Sequence, residues 1–200
     1  TDAVSVGKAL VDAGFRIVEV PLTSPDALTS ISLLRQSLNS EVVVGAGTVL
    51  TPEDVDAVAK VGGTLVVSPN ADEAVIRRTK ALGLLSLPGV CTPTEALAAL
   101  RWGADGLKAF PGEQLPPKIM KAWRAVLPKG VCLIPTGGIS VENMAGYWEA
   151  GAAGFGIGTG VFQPGDDPES VRQKAAAFVA AGQGLQCPVA AQGEKRRRLG

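Results

Sequence analysis

The sequence predicts a (β/α)8 barrel, and three observations carry the prediction. Short apolar, β-branched runs recur roughly every 20 to 26 residues. Helical patterns with capping signals separate them. The runs are apolar on both faces, as parallel strands covered on both sides must be. A doubly wound parallel sheet is the alternative that the same alternation allows. With 200 residues, 46% hydrophobic and 19% charged, the chain suits one globular domain with a sizeable core. We divide it into a barrel domain over residues 1–181 and an irregular tail over 182–200, where periodicity is lost.

In chain order, an opening helix ends at the Ala13-Gly14 signal, and the first apolar run covers 17–22. Ser24-Pro25-Asp26 starts the next helix, followed by a strand over 42–46. Thr51-Pro52-Glu53 caps a helix that Gly62 ends, before a strand over 65–68. Gly83 closes the next helix and precedes the strand over 84–87. Thr92-Pro93-Thr94-Glu95 caps a helix that Gly103 closes, leading into the strand over 106–110. Strands over 132–135 and 154–158 flank a helix that starts near Ser140-Val141-Glu142 and ends at Gly151. A last helix spans 170–181. A barrel needs eight strands and this alternation supplies seven. The first strand is therefore expected to precede Thr1.

Composition narrows the chemistry. Formal charge is zero, which offers no electrostatic footprint for nucleic acid or an anionic membrane. The one basic run, Lys195 to Arg198, lies in the tail, and no apolar stretch is long enough to span a bilayer. Cys91, Cys132 and Cys187 are odd in number and widely spaced, as reduced thiols of a cytoplasmic protein are. The chain has no histidine. That removes the usual general base and the usual zinc ligand, so acid–base work falls to a carboxylate, lysine, tyrosine or water.

Lys108 is the outlier among the lysines, because it sits inside the apolar run Gly106-Leu107-Lys108-Ala109-Phe110. Burial there favours a neutral amine, which Schiff-base chemistry on a carbonyl requires. Glu19 interrupts the first apolar run, and period-two alternation turns it inward with Ile17 while Val18 and Val20 face the helices. The same alternation groups Gly106, Lys108 and Phe110. A structural ion pair between Lys108 and Glu19, or a carboxylate satisfied by backbone donors, is the alternative to a nucleophile with a proton shuttle. Thr48, after Gly45-Ala46-Gly47, offers a hydroxyl for a small anion or a cap for the next helix. Ser68-Pro69-Asn70 ends a strand, and Asn70 is again a candidate cap. Thr136-Gly137-Gly138 and Gly156-Ile157-Gly158-Thr159-Gly160 are glycine turns whose backbone N–H groups and following helix N-termini suit a phosphate. They equally fit tight turns without a ligand. Arg16 and Arg101 lie at a strand start and a helix end, away from these groups.

With those residues placed, the chain resembles the class I aldolases of 2-keto-3-deoxy-6-phospho-sugar acids. The resemblance rests on Val18-Glu19-Val20-Pro21-Leu22, Gly45-Ala46-Gly47-Thr48-Val49-Leu50, Ser68-Pro69-Asn70, Leu107-Lys108-Ala109-Phe110-Pro111 and Thr136-Gly137-Gly138-Ile139, in that order, and covers about residues 2–181. It implies a cytoplasmic homotrimer of (β/α)8 barrels, without metal or cofactor. Such an enzyme cleaves 2-dehydro-3-deoxy-6-phosphogalactonate or its gluconate epimer to pyruvate and D-glyceraldehyde 3-phosphate. Lys108 would form the imine, and Glu19, acting through a water, would carry protons. Thr48 and Pro69 would hold the pyruvyl end, Phe110 would pack beside the imine, and Thr136, Gly137, Gly138, Gly158 and Thr159 would take the phosphate end. The family's first strand also carries an arginine for substrate anions that has no counterpart here.

Pro21-Leu22-Thr23-Ser24-Pro25 resembles the galactonate branch, whereas Thr136 resembles the gluconate branch. One hydroxyl near C4 separates the epimers by only ~1–3 kcal/mol. The remaining alternatives are a phosphate-binding barrel isomerase or synthase that uses Lys108 as an electrostatic clamp, and an inactive truncated fragment.

Overall fold

The computed structural model describes residues 3–185. Cys187, the Lys195–Arg198 run and all but the start of the expected tail lie outside the described residues. Strands β1 (Ile17–Pro21), β2 (Val43–Gly47), β3 (Leu65–Val67) and β4 (Leu85–Leu87) form one parallel sheet. Strands β5 (Gly89–Val90), β6 (Gly106–Ala109) and β7 (Cys132–Pro135) form a second. Helices α1 (Ala3–Ala13), α2 (Ala27–Ser37), α3 (Pro52–Lys60), α4 (Glu73–Ala81), α5 (Pro93–Trp102), α6 (Pro117–Trp123), α7 (Met144–Glu149) and α8 (Pro168–Gln183) alternate with the strands. This is the wall and helix layer of a TIM-barrel-like fold.

Two strands differ from expectation. The fourth is broken at Pro88, which has no N–H to give to a ladder. Its first half pairs with β3 and its second half with β6, while the Pro88 carbonyl accepts the Lys108 N–H at 2.9 Å. The two sheets are thus one curved wall bent at a proline. The run over 154–158 reduces to a single bridge between Thr136 and Gly156. Glycine at 154, 156 and 158 leaves every second position without a side chain to pack, which weakens a strand.

Alternation along the strands sorts the core. Val18, Val44, Ala46 and Val66 pack outward against Ile31, Leu34, Val55 and Val58, all buried. Leu107, Ala109 and Leu133 do the same against Ala96, Ala99, Met120 and Trp123. Each large apolar side chain buried this way contributes about 1.5–3 kcal/mol.

Thr51 and Thr92 cap α3 and α5 as expected, each in a reciprocal capping box, with Asp54 and Glu95 respectively. Gly103 ends α5 at φ +105°, a conformation that disfavours any side chain. Ser24 does not cap α2; Asp26, at φ +49°, precedes that helix instead. Nor does α7 begin at Ser140: a turn intervenes, and the Asn143 side chain clamps it by accepting the Ser140 N–H and donating to the Gly138 carbonyl. The last helix is longer than expected at both ends. Asp167 caps its start and Gly182 lies within it.

Around the Cys132 end of β7, Arg124 gathers three connections. Its guanidinium donates to the Val131 carbonyl at 2.6 Å and, through two nitrogens, to the Gly151 carbonyl. The end of α6, the start of β7 and the turn after α7 are thereby joined. Helix α1 packs against α8, where Gly14 lies against Val179.

Candidate active site

Among the described residues, Lys108 is the one charged side chain that is buried, at 9% exposure. It lies on β6 between Gly89 of β5 and Ile134 of β7. Its ammonium sits 4.6 Å from the Phe110 ring centroid, so Lys108 and Phe110 do share a face. Burial lowers the Lys108 pKa from its ordinary value, and the negative charge of Glu19 only partly offsets that. Burial likewise raises the Glu19 pKa, opposed by Lys108. Glu19 as a residue is exposed, yet the protein around its carboxyl removes enough water to disfavour its charge.

These two groups act on one another through space without a hydrogen bond. The arrangement is therefore not a closed ion pair, and both members are driven toward their neutral forms. A neutral amine attacks a carbonyl, and a carboxyl with a raised pKa both gives and takes protons.

The Glu19 carboxylate lies directly over Gly47, a neighbour that alternation alone did not single out. A Cβ placed on Gly47 would stand 1.8 Å from Oε2 of Glu19. Thr48 follows at φ +55°, a left-handed conformation uncommon for a residue with a side chain. It is not the helix cap, since Thr51 holds that role. The chain after it is pinned by the Ser68 hydroxyl, which donates to the Val49 carbonyl at 2.7 Å. Asn70 is not a cap either; Asp72 caps α4. Pro69 is approached so closely by β5 that a Cβ on Gly89 would stand 2.2 Å from its carbonyl oxygen.

Gly137 and Gly138 turn at φ +94° and +63°, with the Thr136 carbonyl accepting the Gly112 N–H at 2.7 Å. Gly156 stands against the Thr136 side chain. Gly158 and the exposed Thr159 begin a turn in which the Gly158 carbonyl accepts the N–H groups of Val161 and Phe162. Neither glycine turn leads straight into a helix, because α7 starts at Met144 and α8 at Pro168. The expected helix N-termini are replaced by backbone turns.

Glu113 is a second neighbour missed in the sequence. Its carboxylate oxygens lie 3.0 Å from the Cβ positions of Gly137 and Gly138, a contact made across the fold rather than along the chain. Arg16, just before β1, donates to the carbonyls of Val11 in α1 and of Phe15. A surface depression lined by Leu22, Ser24, Asp26 and Asp54 includes neither Lys108 nor Glu19. Among the described residues no group of three or more His, Cys, Asp or Glu stands together as a metal site.

A desolvated lysine with a carboxyl partner, on the inner wall of a parallel β/α barrel, is the equipment of an imine-forming lyase. Comparison with known proteins narrows that class. The family model for KDPG and KHG aldolases matches residues 1–183, and the chain belongs to that aldolase family. It is 44% identical over 173 residues to the 2-dehydro-3-deoxy-6-phosphogalactonate aldolase of Escherichia coli strain K12, covering 86% of this chain and 84% of that protein. It is 36% identical over 146 residues to the 2-dehydro-3-deoxy-phosphogluconate aldolase of Treponema pallidum strain Nichols, covering 73% and 69%. A solved structure described as native KDPGal superposes with a TM-score of 0.89 at 42% identity, covering 91% of this chain and 88% of that one. The TIM-barrel-like fold and the lyase class therefore both hold.

Proposed function

We propose that the chain cleaves 2-dehydro-3-deoxy-6-phosphogalactonate to pyruvate and D-glyceraldehyde 3-phosphate, with Lys108 as the imine-forming nucleophile. The buried, pKa-lowered amine beside Glu19 is the observation that carries this reading. The galactonate epimer is favoured because the chain is 44% identical to a galactonate-epimer aldolase and 36% to a gluconate-epimer one.

The neutral Lys108 amine adds to the C2 ketone, and loss of water leaves an iminium. Glu19 takes the proton of the C4 hydroxyl. The C3–C4 bonding pair moves into the iminium, releasing the aldehyde and leaving an enamine. Glu19 then returns a proton to C3, and water hydrolyses the imine to pyruvate and free lysine. The iminium is the electron sink throughout. Thr48 and the Pro69 region hold the pyruvyl end, Phe110 packs beside the imine, and Thr136, Gly137, Gly138, Gly158 and Thr159 hold the phosphate end. The working form is a cytoplasmic homotrimer, which sedimentation of the pure protein at three chain masses would support.

Borohydride reduction in the presence of pyruvate tests the chemistry. Wild type is expected to gain a reduced adduct that maps to Lys108. Lys108→Ala is expected to lose both adduct and turnover while keeping its fold by circular dichroism. Turnover retained in that variant ends the proposal. Parallel assays on both C4 epimers decide the sugar acid; a higher kcat/KM on the gluconate epimer reverses our preference.

A further inference from the structure

We infer that Gly47 is a positioning residue for proton transfer: its missing side chain is the space in which the Glu19 carboxylate rests. The inference depends on the reading of Glu19 as the proton carrier. Register pairs Glu19 with Gly45 and Pro21 with Gly47, so both glycines line the same face of β2 as the acid does on β1. They differ in what a side chain would meet.

A Cβ on Gly45 would stand 2.1 Å from the Leu65 carbonyl oxygen and 2.7 Å from its carbon, both backbone of the paired strand. A Cβ on Gly47 would instead meet Oε2, Cδ and Oε1 of Glu19 at 1.8, 2.6 and 2.8 Å, and these are its three nearest neighbours. Gly45 is required by the sheet, whereas Gly47 is required by one carboxylate. Gly47 is also absent from the glycines with positive φ, so alanine suits its backbone. Its carbonyl accepts the Leu22 N–H at 2.8 Å, a bond that alanine keeps.

A methyl group at position 47 therefore acts on Glu19 first. The carboxylate must retreat by roughly 1.5–2 Å to reach van der Waals distance. A reacting group misplaced by about 1 Å loses on the order of 10²-fold in rate.

The test compares wild type, Gly47→Ala, Glu19→Asp and the double variant. Its readouts are kcat and KM for cleavage, exchange of pyruvate methyl protons with solvent, equilibrium borohydride trapping at Lys108, and Tm. Gly47→Ala is expected to slow cleavage and exchange by about 10- to 100-fold, with KM and trapping yield held within about twofold. The kcat–pH profile should also shift in the limb that Glu19 governs.

Aspartate is one methylene shorter and leaves room for the new methyl, so the Gly47→Ala penalty should fall below about threefold in the Glu19→Asp background. Equal penalties in both backgrounds, or wild-type exchange in Gly47→Ala, overturn the inference. Should Gly47→Ala fail to fold, Gly47→Ala with Glu19→Ala decides: recovered folding supports the inference, and a double variant that also fails overturns it. Wild type that never traps pyruvate brings down the aldolase reading itself. Normal trapping with background-independent penalties brings down only the role of Gly47.

Discussion

At Lys108 folding and chemistry pull in opposite directions. An ammonium on a buried strand costs desolvation, and that same cost creates the neutral nucleophile. The folded-state pKa lies below the unfolded value, so the unfolded chain binds more protons in the interval between them. Lys108 therefore weakens the fold most below its folded-state pKa, and the penalty fades as pH rises toward the ordinary lysine range. Lys108→Met is expected to abolish turnover and to stabilise the protein by about 1–3 kcal/mol at neutral pH. Chemical denaturation across pH checks the sign: the gain should shrink as pH rises, and a gain that grows would contradict buried-charge strain. Period-two alternation suffices to turn Lys108 and Glu19 inward. It says nothing about which backbone Glu19 lies against, because that contact depends on the pairing of β1 with β2.

Among the elements, the glycine turn after β7 is the one whose surroundings differ most from expectation. It presents the bare backbone that an anion needs, but Glu113 rests against both glycines. A phosphate arriving there meets a negative charge already in place. Glu113→Gln should lower KM for the phosphorylated substrate by about three- to tenfold, from about 1 kcal/mol of relieved repulsion. Pyruvate trapping should not change. A raised KM would show instead that the carboxylate holds the turn in shape.

Local signals account for most of the element boundaries: Thr51 and Thr92 cap helices because hydroxyl, proline and acid stand in sequence. The break at Pro88 and the reduction of 154–158 to one bridge are less legible. They are set by partners about 20 residues away in the chain, where a missing N–H or missing side chains decide whether pairing continues. Glu113 was hidden for the same reason, as 24 residues separate it from Gly137.

For the molecule as a whole, α8 is what ties the weakest segment of the wall to the helix layer. Phe178 of that helix is buried, and its ring edge lies 3.1 Å from the Cβ position of Gly160. Phe178→Ala is expected to cost about 3 kcal/mol and to lower Tm by roughly 6–12 °C. The glycine loop it supports is the proposed phosphate end, so KM should rise more than kcat falls. A Tm loss with both kinetic constants unchanged would separate the loop from the helix.

The Arg124 clamp has a practical consequence for anyone altering specificity. A single guanidinium fastens two carbonyls, Val131 and Gly151, so this corner holds through main-chain atoms, while Gly151 itself, at φ +98° with its Cβ position 2.9 Å from Arg124 Nε, leaves no room for a side chain. Libraries aimed at new aldehydes should keep arginine at position 124, because lysine offers a compact point charge where a planar fork is engaged.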